Sequence, residues 1–124
     1  MAPNSPEDMH SEFTRAFNAG DVDALLRLYE PEAIMTPEPG TAVAGTDAIR
    51  EALNGYLALK SKIEFKTQPV FKAGNLALMH GDWTLAGTAP DGNAVNLTGH
   101  STEVLRRQPD GTWLYVIDIP DDVA

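Results

Sequence analysis

Apolar residues recur at helical spacing three times in the first half of the chain and at alternating spacing through the second half. Met9, Phe13, Ala16 and Phe17 form one stripe. They predict a helix over about 6–18, opened by a Ser5 cap, Pro6 in the first turn and Asp8 near the positive dipole end, and stopped at Ala19-Gly20. Asp21 caps a second, short helix whose buried side is Val22, Leu25, Leu26 and Tyr29, and Pro31 prevents its continuation. Ala33 to Thr36 reads as a short strand, and Pro37-Glu38-Pro39-Gly40 as an irregular loop. Thr46 caps a third helix with Ile49, Ala52, Leu53, Tyr56 and Leu57 on its apolar face.

After Lys60 the turn signals Ala73-Gly74-Asn75, Pro90-Asp91-Gly92-Asn93 and Pro109-Asp110-Gly111 divide the chain into four strands near 62–72, 76–87, 94–107 and 112–119. Helices precede the strands instead of alternating with them, which predicts an α+β fold with a long antiparallel sheet. In the last strand Trp113, Tyr115, Ile117 and Ile119 alternate with Leu114, Val116 and Asp118, so both faces are largely apolar. Three short helices cover one face only; a homodimer through the sheet is expected to cover the other.

The chain has 124 residues, 43% of them hydrophobic and 22% charged, which fits one globular domain spanning 1–124, its first four or so residues a flexible lead-in. A formal charge of −9 argues against a nucleic-acid partner and against anionic membrane surfaces. No apolar run reaches the roughly 20 residues that span a bilayer. Met1 to Phe13 lacks the basic start and apolar stretch of a secretory signal, so cytoplasmic location is the expectation. The absence of cysteine removes thiol nucleophiles and thiolate zinc sites.

Among chemically capable residues, Asp118 is conspicuous: it lies between Ile117 and Ile119 on a strand predicted to be buried, a costly position for an unpartnered carboxylate. Facing an apolar pocket it would have a raised pKa and serve as a general base. Alternatively it is solvated at the strand end with Pro120, Asp121 and Asp122. His100 and Glu103 are further candidates for polarising a substrate oxygen; three residues apart on one strand, they point to opposite faces, and only one of them can line the pocket. Phe13, Phe17, Met35, Tyr56 and Trp83 either line a pocket or make up the core. His80 and Asp82 share a strand face and His10 lies in the first helix, but none has metal-ligand spacing, and no metal site is expected. No serine elbow, phosphate loop or dinucleotide fingerprint is present.

Phe17-Asn18-Ala19-Gly20-Asp21-Val22-Asp23-Ala24-Leu25, the segment Leu28 to Ala33, the helix start Gly45-Thr46-Asp47-Ala48-Ile49-Arg50 and Asp110-Gly111-Thr112-Trp113 resemble the nuclear transport factor 2-like superfamily. The likeness is to its ketosteroid isomerase-like and SnoaL-type polyketide cyclase-like branch, including many small bacterial members of unassigned activity. It implies a cone in which a curved sheet wraps the three helices around a pocket, and dimers formed through the sheet. Transferred onto this chain, the isomerase tyrosine falls on Phe13 and its proton-shuttling aspartate on Pro37, neither of which can act in that way. The protonated acid of the penultimate strand falls near Glu103, or on Thr102 if a bulge intervenes. The SnoaL-type cyclases carry an essential aspartate on the final strand, where this chain has Asp118. The resemblance thus implies a small apolar ligand, no cofactor, and either cofactor-free isomerase or cyclase chemistry on an apolar carbonyl compound or a non-catalytic dimeric ligand-binding or assembly domain.

Overall fold

A computed structural model describes residues 2–121. The first helical segment begins as a single 3-10 turn at Pro6–Asp8 and continues as α1 (Met9–Asn18). Ser5 precedes it, but its hydroxyl meets the Asp8 carboxylate at 2.9 Å instead of capping a backbone N–H. Asp21 does cap α2 (Val22–Leu26), its carboxylate accepting from the Ala24 N–H at 3.0 Å. The third helix, α3, spans Thr46–Leu57. Its cap is Gly45 at φ 92°, not Thr46, because the chain leaves the preceding strand through a backbone conformation suited to glycine.

Among the described residues seven strands follow the order β2-β1-β7-β6-β5-β3, with short β4 also paired to β5. They are β1 (Tyr29–Glu38), β2 (Thr41–Ala44), β3 (Lys62–Thr67), β4 (Phe71–Ala73), β5 (Leu76–Thr88), β6 (Ala94–Arg107) and β7 (Trp113–Ile119). The long strands after Lys60 agree closely with their turn signals. Among the strands the sequence-based expectations fail in three places. Pro69 has no N–H to give to a ladder, so the expected strand at 62–72 divides into β3 and β4. The segment expected to be a short strand and an irregular loop is a ten-residue strand that turns at Pro39-Gly40 into β2. Tyr29, expected on α2, opens that strand; Pro31 is accommodated where the pairing register shifts between Tyr29 and Ile34. The long strands pair antiparallel as expected, β3 with β5, β5 with β6 and β6 with β7, and β1 adds to that sheet parallel to β7. No hairpin joins these two strands, so chain connectivity does not dictate their relative direction.

The sheet curves around the helices as a cone. Its inner face presents Ile63, Met79, Trp83, Leu85, Leu105, Trp113 and Tyr115 to Met9, Phe13 and Phe17 of α1, Leu25 of α2 and Ile49 and Leu53 of α3. The Pro3 carbonyl accepts from the Trp113 N–H at 2.9 Å and ties the start of the chain to β7. Among the described residues no helix is long and apolar enough to cross a membrane.

Candidate functional site

The decisive local feature is a bulge in β7. Val104 of β6 pairs with Ile117, yet its neighbour Leu105 pairs with Tyr115, which leaves Val116 as an extra residue. Strict alternation would put Asp118 on the face opposite Trp113 and Tyr115. The bulge restores it to theirs. The expected alternation through Ile117 and Ile119 is corrected accordingly: from Val116 onward the faces exchange, and Asp118 turns inward with 5% exposure.

On neighbouring strands Asp118 sits in register with Glu103 on one side and Met35 on the other. Its carboxylate accepts the Tyr29 hydroxyl at 2.5 Å. Burial pushes the Asp118 carboxyl up to about 7, the nearby Glu103 adds to the effect, and the hydrogen bond from Tyr29 opposes it. The same burial holds the phenols of Tyr29 and Tyr115 well above their ordinary value, with negative charge on Asp118 and Glu103 contributing to both.

Glu103 is 2% exposed. One of its oxygens, Oε2, meets His10 Nε2 of α1 at 3.0 Å; the other, Oε1, is buried with no hydrogen-bond partner among the described residues. His10 Nδ1 in turn meets the Thr67 hydroxyl at 2.7 Å. The imidazole stacks on Phe65, ring centres 4.2 Å apart and planes 12° from parallel.

Asp118 and Glu103 border a small, partly open apolar cavity of about 40 Å³. Asp118, Glu103 and Tyr115 line it together with all five residues weighed as pocket or core: Phe13, Phe17, Met35, Tyr56 and Trp83. The Trp83 indole donates to the Pro120 carbonyl at 2.6 Å and the Tyr56 hydroxyl to the Pro37 carbonyl at 3.4 Å, fixing two aromatic walls. Phe13 and Pro37 stand where the isomerase resemblance expects a tyrosine and an aspartate. Neither supplies an ionisable group.

His100 is a correction. It projects from the opposite face of the sheet, where its Nδ1 meets Asp82 at 2.9 Å and its ring makes an edge contact with His80. The even-numbered positions of β6 face outward once Glu103 faces inward, so His100 cannot share a cavity with Asp118. Of the alternatives for Asp118, the solvated strand end does not apply to its side chain; Asp122 lies outside the described residues. No cluster of metal-ligating side chains occurs among the described residues.

Sequence reasoning overlooked three members of the site. His10 was legible, since it precedes Phe13 by three and Phe17 by seven residues and so shares their helix face. Tyr29 was assigned to the wrong element. Nothing local marked Thr67, which meets His10 only through the contact of α1 with β3.

A protein-family model described as a SnoaL-like domain matches residues 10–116. No curated protein matches the chain. Solved structures do. A ketosteroid isomerase-like protein from Erwinia carotovora atroseptica superposes with a TM-score of 0.82 at 16% identity, covering 95% of this chain and 93% of that one. A candidate dehydratase of the nuclear transport factor 2-like family from Streptomyces avermitilis gives 0.74 at 21% identity, covering 91% and 90%. A nuclear transport factor 2-like superfamily protein from Salmonella enterica serovar Typhimurium gives 0.78 at 18%, covering 91% and 87%. At such identities these likenesses speak for the fold alone. With the family model spanning most of its length, the chain belongs to the SnoaL-like domain family, and its fold is the one seen in nuclear transport factor 2-like proteins.

Proposed function

We propose that the protein carries out cofactor-free acid-base chemistry, such as isomerisation or cyclisation, on a small apolar carbonyl compound, with Asp118 as the base. One observation carries this reading: a carboxyl poised near neutrality, backed by a tyrosine hydroxyl, on the wall of an apolar cavity. A base of that strength can take a proton beside a carbonyl and return it at another carbon, so that isomerisation consumes nothing else. Electron density moves onto the carbonyl oxygen during the first transfer. Tyr115 is the donor suited to that oxygen, since it lines the cavity near Asp118 and Glu103 and its phenol keeps its proton. The charged groups of the wall are carboxylates and neither lysine nor arginine lines it, which favours neutral ligands over anionic ones.

The absence of an ionisable group at Phe13 and Pro37 favours a second reading, a dimeric pocket protein that holds such a ligand unchanged. One experiment separates the two. The protein is incubated with a hydrophobic metabolite extract, and the recovered compounds are compared by mass spectrometry for wild type and Asp118→Asn. A product that disappears in the variant supports catalysis, with a rate loss on the order of 10²- to 10⁴-fold. The same unaltered ligand from both proteins supports binding and sinks the catalytic reading.

Either reading is compatible with a homodimer through the outer face of the sheet. Phe71, Leu78, Val104, Ile117 and Ile34 stand opposite one another on successive strands from β4 to β1, forming one apolar row across that face. Phe71 is 62% exposed.

A further inference from the structure

The contact between His10 and Glu103 is more than a buried hydrogen bond within the core. We propose that Thr67, His10 and Glu103 form a proton route from solvent to the cavity wall, ending on the Glu103 carboxylate and separate from the cavity itself. The inference rests on the acid-base reading of Asp118.

The route is continuous as far as Glu103. Thr67 is exposed at the end of β3, its hydroxyl is 2.7 Å from Nδ1 of the 2%-exposed His10, and Nε2 of the same ring is 3.0 Å from Glu103 Oε2. Glu103 lies opposite Asp118 in the sheet register. His10 is absent from the cavity wall, and its polar path to the cavity runs through Glu103; it is a positioning and relay residue, not one that touches a ligand. On its other side it borders a surface recess shared with Ser11, Thr14, Arg15, Glu64 and Thr67. The ring therefore spans the wall between solvent and interior.

Its orientation is closely defined. Phe65 stacks on the ring, while a Cβ on Gly81 would lie 3.0 Å from its Cε1 and 3.3 Å from its Nδ1. A glycine there lets the imidazole lie close to the backbone of β5 with each nitrogen facing a different compartment. A proton moves inward when Thr67, receiving one from water, passes its own to Nδ1 while the Nε2 proton moves to Glu103 Oε2. The ring is left as its other neutral tautomer. The reverse transfers return the proton to water and restore the starting tautomer, so a reciprocating relay requires no ring rotation. A buried carboxylate with its polar partner contributes little net stability compared with an apolar replacement, so stability alone is a weak reason for placing these two residues here.

The test uses the full chain labelled with ¹³C and ¹⁵N. Exchange of the His10 Nε2-bound proton with water is measured by NMR in wild type and Thr67→Val, and the Asp118 carboxyl is titrated in both. Valine keeps the shape of threonine and removes the hydroxyl at an exposed position. The relay predicts exchange slower on the order of a hundredfold in the variant, the scale of one lost proton-transfer group, with chemical shifts remote from position 67 unchanged. Equal exchange rates in the two proteins, with Asp118 titrating near neutrality, would overturn the relay and leave the acid-base reading intact. An Asp118 carboxyl that titrates in the ordinary acidic range would overturn both.

Discussion

Asp118 concentrates the energetic tension of the molecule. Its carboxyl ordinarily ionises near 3.8 but is held at about 7 in the folded state, chiefly because burial penalises the charge. Between those values the folded state binds more protons than the unfolded chain, so stability falls as pH rises from about 4 to about 7 and then levels off with respect to this group. Asparagine has the same shape, can accept the Tyr29 hydroxyl and bears no charge. We therefore expect Asp118→Asn to gain stability relative to wild type across that window, by roughly 2–4 kcal/mol at pH 8 and by almost nothing at pH 4. Urea unfolding of both proteins at several pH values measures the difference directly. A constant difference at all pH values would mean that the carboxyl is not desolvated. The special environment of this residue was legible from its two isoleucine neighbours; its direction was not.

At the scale of elements, strands and turns combine to aim these side chains. A single extra residue, Val116, exchanges the faces of the last strand. Close strand packing has a comparable effect at Trp83, whose indole lies across Gly99 on the adjoining strand: a Cβ there would sit 2.5 Å from Cε2 and 2.8 Å from Nε1. The indole cannot remain in place with alanine beneath it, and its hydrogen bond to Pro120 holds it from the other side. Gly99→Ala should cost on the order of 1–3 kcal/mol as an overpacked position and shift the tryptophan emission to longer wavelength as the ring is displaced. An unchanged spectrum with an unchanged unfolding midpoint would contradict this packing. Glycine at position 99 offered no such hint in the sequence, because the close approach is made by a residue sixteen positions earlier.

For the whole molecule, the inner and outer faces of one sheet divide the roles. The inner face supplies the cavity, while the outer one carries the apolar row from Phe71 to Ile34 with His80, Asp82 and His100 nearby. If the row is a dimer interface, a charge within it should be intolerable there and harmless to the fold, because Leu78 is 43% exposed. Leu78→Lys is expected to convert a dimer to a monomer, with circular dichroism unchanged, in light scattering at micromolar concentration. A wild-type protein that is already monomeric under those conditions would refute the interface.

The order of the three helices and the long strands, the boundaries around the turns at Gly74, Gly92 and Gly111, the apolar stripe of the first helix and the peculiar setting of Asp118 were determined within the sequence itself. Each depends on periodicity, capping or turn chemistry over a few residues, and those forces act before the chain closes on itself. The parallel pairing of the first and last strands, the inward turn of Asp118, the outward position of His100, and the meeting of His10 with Thr67 and Glu103 were decided only by the tertiary structure. They depend on register between segments up to 93 residues apart, where one bulged residue reverses a face and no local pattern records it.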